Sequence, residues 1–508
     1  MLKQLELEEI VRICTPRADT PFHVIGPFAN RVSFTSQQSR AVNLVYALHK
    51  RGGFKKDDAV AVIGGGVAGL TAAVALVGYG AKVDIFEGGA KLLSRQSETV
   101  HRIVNPTITK WPMEPLSDTT TLPYLDWYQL PCSEVADHLL REVEKVQAAN
   151  KKLLNVEPRK MVTHVTPISD KSISLECNGQ GNTKSYRAAI VALGFGKEQR
   201  AETLLDKGEW IGYWTPDNIV DTRNTEPSTR FIVSGAGDGG LIDMLRILHS
   251  RFDRGDLPVR IAHLLSDTPL AASISEAEAA RDNFKDEKAI EKLDEVYTAA
   301  AELIETDGSY KSVQEALKAS YIEGAPVHIL VDKKWSKPVS DAASPINKLL
   351  IYHAKIYGKG LEYKHAEVVR TGDGYSVGGY DFKQKDVRLI VRHGPDTNFG
   401  NCVSAADLEY IDEHQRKLAD RLAVPAWDGD LKCPRPFPRN LPGTHAYRDY
   451  RRDMVIEFLS RLCRRFVEVA ITATGYEVIG FEGSPPSQVF GIDLSRGERI
   501  FTRPIQDS

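Results

Sequence analysis

Cysteine is scarce and scattered in this chain of 508 residues. Its six thiols, Cys14, Cys132, Cys177, Cys402, Cys433 and Cys463, include no Cys-x-x-Cys pair and no metal-ligand spacing. That makes a dithiol relay improbable, excludes a structural zinc site and suits a reducing cytoplasm. Neither sign of charge is in excess. Lys and Arg total 65 against 68 Asp and Glu, a net charge of −3, so there is no basic footprint for nucleic acid or an anionic membrane. Long hydrophobic runs are nearly absent. Only 59–80, with Thr71 as its one clearly polar residue, is long enough to span a bilayer, and the glycine cluster in its middle marks it instead as a buried strand–turn–helix. The first residues, Met1-Leu2-Lys3-Gln4-Leu5-Glu6, lack a charged segment followed by an apolar one, so no signal peptide is expected and the cytoplasm is the expected location. What the chain does have is a hydrophobic content of 42%, enough at this length for two or three domains.

The informative feature is a pair of glycine-rich turns. The first, Gly64-Gly65-Gly66-Val67-Ala68-Gly69, follows the apolar run Ala59–Ile63, which reads as a parallel strand buried on both faces. Leu70–Leu76 then reads as a small-residue helix, and Lys82–Phe86 as a second strand ending in Glu87. In such a unit Gly64 permits the tight turn, Gly66 clears space for a pyrophosphate, and Gly69 lets helix and strand approach. The phosphates sit on unpaired N–H groups of the first helical turn, where Val67 and Ala68 lie, at the positive end of the helix dipole. A carboxylate at Glu87 is placed to accept the ribose hydroxyls, so FAD or NAD is the expected ligand.

Gly88-Gly89 and a loop through Arg95, His101, Arg102 and Trp111-Pro112 leave the same sheet edge. Gly88 and Arg95 are cofactor-binding candidates there, with ordinary surface or core roles as the alternative for each. Upstream, an amphipathic helix over 36–48 could bring Gln37, Gln38 or Arg40 to the cofactor or simply pack on the domain. Alternation over 161–166, 173–176 and 185–191 predicts a small antiparallel meander, ending in Ala192-Leu193-Gly194, where Gly194 would leave room for a cofactor.

The second turn, Gly235-Ala236-Gly237-Asp238-Gly239-Gly240, follows strand Arg230–Ser234 and precedes a helix over 241–249. Gly235, Gly237 and Gly240 are its cofactor-binding candidates. Val259–Leu265 is the expected next strand, with His263 and Asp267 as the polar residues near its end. Asp238 and Asp243 weaken this turn, because carboxylates there repel a phosphate on the same dipole. NAD(P)H binding and a structural duplicate are both open. Residues 273–321 read as helices broken at Asp307-Gly308, a lid, a partner or oligomer surface, or a solvated face. The sheet resumes near 327–331, strands follow near 361–369 and 387–392, and a helix spans 405–423. His393 beside Gly394-Pro395 reads as a turn histidine. Val467–Tyr476 repeats the pattern of a strand running into small residues, with Gly475 as its cofactor-facing glycine.

Together the first glycine turn with Glu87, Ala192-Leu193-Gly194, the second glycine turn and Ala473-Thr474-Gly475-Tyr476 resemble the flavoproteins with two dinucleotide-binding domains. That group includes disulfide reductases and flavin-dependent monooxygenases, and the motif form is most similar to the monooxygenases. The resemblance implies an α/β fold in which a Rossmann-like FAD-binding domain (1–225, resuming at 466–508) is split by an inserted NAD(P)-binding-like domain (226–465) with a helical insertion. It implies an FAD-dependent oxidoreductase, reduced by NAD(P)H, passing electrons to O2 or a small organic acceptor. The chain departs from the group in lacking a redox cysteine pair, a placeable arginine for an NADPH 2′-phosphate and a Baeyer–Villiger fingerprint. Two alternatives stay open: an amine-oxidase-like enzyme reduced directly by its substrate, and a nucleotide- or flavin-binding sensor or assembly protein. The substrate is expected to be a small molecule, in a pocket built from 100–130 and 330–465.

Overall fold

The computed structural model describes residues 4–437, except 27–30, 118, 121, 195–196, 207–209, 251, 253–255, 282–286, 359, 397–401 and 428–430, together with the strands 468–471, 475–480, 488–493 and 499–504.

The first domain contains β1 (Phe22–Val24), α1 (Phe34–Lys50), β2 (Ala59–Ile63), α2 (Val67–Gly78), β3 (Lys82–Glu87), α3 (Cys132–Ala149), β4 (Leu154–Pro158), a meander of β5 (Val162–Ser169), β6 (Ser172–Cys177) and β7 (Gln180–Tyr186), and β8 (Ala188–Val191). Its sheet is parallel throughout, in the order β1-β8-β2-β3-β4. Period-two alternation divides the strand side chains between two cores. Val60, Val62, Val83, Ile85 and Ile190 join the core built by α1 and α2, whereas Ala61, Ile63, Phe86, Ala189 and Val191 face the core shared with the meander. Burial on both faces is why the central strands β2 and β8 are apolar at every position.

The second domain repeats this plan with β9 (Arg230–Ser234), α4 (Asp238–Leu248), α5 (Asp256–Leu265), α6 (Pro269–Ala279), α7 (Glu287–Thr306), α8 (Lys311–Lys318), β10 (His328–Asp332), α9 (Pro345–Tyr357), β11 (Leu361–His365), a meander of β12 (Val368–Arg370), β13 (Gly374–Val377) and β14 (Tyr380–Lys383), and β15 (Val387–Val391). The parallel order is β11-β10-β9-β15, the counterpart of β4-β3-β2-β8. One expectation is corrected here. Val259–Leu265 is not the second strand but lies in α5, whose buried residues Leu257, Ile261, Ala262 and Leu265 recur at helical spacing. The apparent alternation of Val259 and Ile261 was a fragment of a 3.6-residue period. The partner of β9 is β10, reached only after the helical insertion α5–α8.

Helices α10 (Ala405–Arg416) and α11 (Ala419–Ala423) pack back on the first domain, although the sequence places them in the inserted part. Asp407 pairs with Arg17 at 2.6 Å, and Asn43 on α1 donates to the carbonyls of Leu422 and Val424. Phe437 joins the same core against Tyr124. The first domain is therefore split by the second. Strands β16 (Glu468–Ile471), β17 (Gly475–Gly480), β18 (Gln488–Asp493) and β19 (Arg499–Pro504) form an antiparallel meander of their own. Among the described residues no helix is long and apolar enough to cross a membrane; the apolar stretch 59–80 is β2, the first glycine turn and α2.

Candidate dinucleotide-binding sites

The first glycine turn is built by close backbone approach. Gly64 has φ +109°, and a Cβ there would strike the carbonyl of Ala192, just past β8. A Cβ on Gly69 would strike the carbonyl of Gly64. Gly66 differs: it is the N-cap of α2, has no side-chain cap, and a Cβ there would meet nothing within 4 Å. The open space lies at the N-terminus of α2, where Val67 is buried and Ala68 half-buried. A cleared third glycine over an uncapped helix N-terminus fits a pyrophosphate. Glu87, at the end of β3, accepts the Gly65 N–H on Oε2 at 2.8 Å and the Gly89 N–H on Oε1 at 2.6 Å. Each carboxylate oxygen has a second lone pair, so the anchored group can still accept ribose hydroxyls.

The second turn reproduces this construction atom by atom. Gly235 has φ +115°, a Cβ on it would strike the carbonyl of Arg392 after β15, and a Cβ on Gly240 would strike the carbonyl of Gly235. Gly237 is the uncapped N-cap of α4, and its nearest neighbour to a Cβ is that of Ala342 at 3.8 Å. Gly64 N donates to Phe86 O at 2.8 Å and Gly235 N to Val331 O at 2.8 Å. The counterpart of Glu87 is Asp332, the last residue of β10. Its Oδ2 accepts the Ala236 N–H at 2.7 Å and its Oδ1 accepts the N–H groups of Lys334 and Trp335. Sequence reasoning missed Asp332 because it sought the acid after Val259–Leu265. The available signal was His328-Ile329-Leu330-Val331-Asp332, an apolar run ending in an acid, as at Val83–Glu87.

The two carboxylates that weakened the second turn on sequence grounds are both engaged elsewhere. Asp238 Oδ1 accepts from Ser344 N, Ser344 Oγ and Asn347 Nδ2, which ties α4 to the start of α9. Asp243 is fully buried among three arginines: Arg102 of the first-domain loop at 2.7 Å, Arg392 at 2.7 Å and Arg246 at 3.0 Å. Arg246 continues to Asp217 at 2.8 Å, which also meets His101 at 3.1 Å. Burial alone would raise the Asp243 carboxyl, and Arg102, Arg392 and Arg246 outweigh it, holding the group well below its ordinary 3.8. Burial opposes and His101 and Arg246 likewise depress Asp217. Arg102 also donates to Tyr213 O and lies 3.6 Å from the centre of the Tyr213 ring, which in turn sits against Gly239. This charge cluster locks the loop after β3, the 211–217 segment and the second turn together. Arg31, Glu278 and Lys348 form a second buried tie, from the segment before α1 to α6 and α9.

Residues 58–242 match the family of pyridine nucleotide-disulphide oxidoreductases, a span from the start of β2 through the second turn. That segment resembles the FAD/NAD(P)-binding oxidoreductases. The family uses FAD with NAD(P)H, and the chain is an FAD-dependent oxidoreductase. No curated protein matches the chain. Among solved structures it is similar to a bacillithiol disulfide reductase from Bacillus cereus (13% identity, 67% of this chain and 78% of that one, TM-score 0.36). It is also similar to OTEMO in complex with FAD and NADP (13%, 71% and 73%, TM-score 0.37) and to thioredoxin reductase from T. acidophilum (13%, 73% and 98%, TM-score 0.32). At these TM-scores none of the three bears on substrate or activity.

The remaining predicted residues fall as follows. Gly88 is exposed, with Met161 the nearest neighbour to its missing Cβ. Arg95 is exposed in the short helix Ser94–Ser97, and its carbonyl accepts from Thr99 Oγ1. Gly194 has φ +62° and open space beyond its Cα, in the same relation to β8 as Gly394 (φ +85°) to β15. Gly475 opens strand β17, opposite Asp493; Ala473 and Thr474 lie outside the described residues. Gln38 holds the Trp127 indole and the Leu125 carbonyl, Arg40 reaches the Gly26 carbonyl, and Trp111 is core. His393 contacts Ser234 Oγ at 2.8 Å, a turn role. No disulfide joins the described cysteines, and burial pushes the thiols of Cys14 and Cys402 up to about 12. Such thiols are poor nucleophiles at neutral pH. A cavity of about 320 Å³ lies along β15, lined by Leu205, Trp210, Phe231, Tyr375 and Arg392; neither glycine turn contributes to it.

Proposed function

We propose that this enzyme takes its electrons from NAD(P)H at the second turn and gives them to O2 or a small organic acceptor. The supporting observation is the second turn itself, which keeps the cleared third glycine, the uncapped helix N-terminus and the end-of-strand carboxylate of the first. When bound, FAD supplies the redox chemistry, accepting a hydride from the nicotinamide and passing the electrons on. The chain's own residues bind and orient. Gly64–Gly69 and Glu87 would hold the flavin nucleotide, and Gly235–Gly240 with Asp332 the nicotinamide nucleotide. The cluster around Asp243 fixes one site against the other, the positioning on which transfer between bound groups depends.

Direct reduction by an amine-like substrate lost its support when Asp238 and Asp243 proved to be engaged with α9 and with three arginines. A partner surface on the helical insertion draws no support from its apolar side chains: Ile290, Leu293, Tyr297, Ala301 and Ile304 of α7 are buried in the second domain's core. Described cysteines that form no disulfide suit a cytoplasmic enzyme.

The test is an absorption spectrum of the purified protein followed by anaerobic addition of NADH and then NADPH. Flavin bands that bleach on addition support the reading. Bands that persist with both nucleotides overturn it and reduce the second turn to a scaffold.

A further inference from the structure

Asp332 goes further than the presence of a second nucleotide site. We propose that this site selects NADH over NADPH and that the Asp332 carboxylate is the selecting group. The inference rests on the reading above that the second turn holds a nicotinamide nucleotide.

The first turn shows what the position does. Glu87 and Asp332 each end the strand next to the glycine-turn strand, and each accepts the N–H of the second residue of its turn, Gly65 and Ala236. An acid so placed stands where the adenosine ribose emerges from the turn. Glu87 keeps one lone pair on each oxygen for the hydroxyls, and Asp332, with both Oδ1 lone pairs taken, keeps one on Oδ2 for the 2′-hydroxyl. The two nucleotides differ only at this point, where NADPH carries a phosphate on the 2′-oxygen. A carboxylate held there accepts a hydroxyl and repels a phosphate dianion.

Asp332 cannot readily swing away, because three backbone N–H groups hold it: Ala236 on one oxygen, Lys334 and Trp335 on the other. The lysines that follow the strand already have other contacts. Lys333 pairs with Glu367 at 2.7 Å, Lys337 with Asp294 at 3.1 Å, and Lys334 lies over the Trp335 ring at 4.7 Å. No arginine stands in the segment 333–337 that follows the strand. Arg392, whose carbonyl closes the turn against Gly235, has its guanidinium turned to Asp243 and the Ile211 carbonyl. His393 is exposed, with a ring nitrogen 2.8 Å from Ser234 Oγ, and desolvation at that contact lowers its pKa against the pull of Asp332.

The experiment is calorimetric titration of the flavin-loaded protein with NAD+ and with NADP+, which reads binding without turnover. NAD+ is expected to bind at least about tenfold more tightly, the size of one charge-assisted contact. Raising the salt concentration should narrow the gap, because the repulsion is electrostatic. In Asp332→Asn, which keeps an acceptor oxygen and removes the charge, the ratio should move toward one. NADP+ binding as tightly as NAD+ to the unaltered protein overturns the selectivity while leaving the nucleotide site in place. Failure of both nucleotides to bind overturns the site and the selectivity together. An unchanged ratio in a folded Asp332→Asn protein removes Asp332 from the role. If that variant does not fold, the ratio in the unaltered protein and its salt dependence still decide.

Discussion

Glu87 and Asp332 are the same residue of a duplicated unit, each locking the second N–H of a glycine turn to the end of the neighbouring strand. Around them the repeat extends to Gly64 and Gly235, Gly69 and Gly240, and the Ala192 and Arg392 carbonyls that close each turn. The repeat assigns different work to different glycines, and substitutions can separate those roles.

Glu87→Ala removes an acceptor of the ribose hydroxyls and unties Gly65. FAD affinity should fall by about tenfold to a hundredfold, the value of one or two hydrogen bonds to a charged group. The ratio of flavin to protein absorbance after desalting measures it. Full flavin occupancy in the variant would remove the assigned role.

Gly66→Ala and Gly69→Ala should fail differently. A Cβ on Gly66 meets nothing, so that protein should fold and melt like the parent yet bind flavin poorly, because the methyl fills the space cleared for the pyrophosphate. A Cβ on Gly69 meets the Gly64 carbonyl, so that variant should lose about 1–3 kcal/mol of stability as well. Thermal melts beside flavin content tell the two apart.

Asp243→Ala leaves Arg102, Arg246 and Arg392 buried around a missing anion. Removing one partner from a buried ion cluster costs about 3–5 kcal/mol, and that loss should appear in the denaturant midpoint.

Acid should loosen the same cluster. Asp217 and Asp243 are held below their ordinary 3.8, so the stability they contribute is fully present above about pH 4. It is lost as pH falls from there toward their depressed native values. Melting temperature should not change on their account between about pH 7 and 5, and should fall below about pH 4; the Asp243→Ala protein should show a shallower acid loss.

Thiol chemistry should be dispensable. Serine at Cys177 and Cys433, the two half-buried thiols among the described cysteines, should leave the rate of flavin reduction unchanged in anaerobic stopped-flow. A large loss would revive a thiol relay.

Much of this protein was legible in local pattern. The apolar strands β2 and β9, their glycine turns and the acid Glu87 are written in consecutive residues, because strand burial and positive-φ turns restrict residue type directly. The meander before β8 and the helices of the insertion follow from periodicities of two and 3.6. Where two periods overlap in a short apolar run, local pattern failed. Val259–Leu265 was read as a strand, and packing of Leu257, Ile261, Ala262 and Leu265 against the second core made it a helix.

Tertiary structure alone decided the rest. The strand that pairs with β9 as β3 pairs with β2 stands beyond five helices, α4–α8, so Asp332 is recognisable as the counterpart of Glu87 only from β10 lying beside β9. Asp243 read as a hindrance to phosphate because its sequence neighbours contain only one of its three arginines. Arg102 lies 141 positions before it and Arg392 149 positions after it. The return of the chain to the first domain at α10 rests on pairs such as Arg17 and Asp407, 390 positions apart. Local sequence determines which conformations each segment can adopt, but a buried charge takes its meaning from whichever counter-charges the fold brings within a few ångströms. Those neighbours are chosen by the packing of the whole chain.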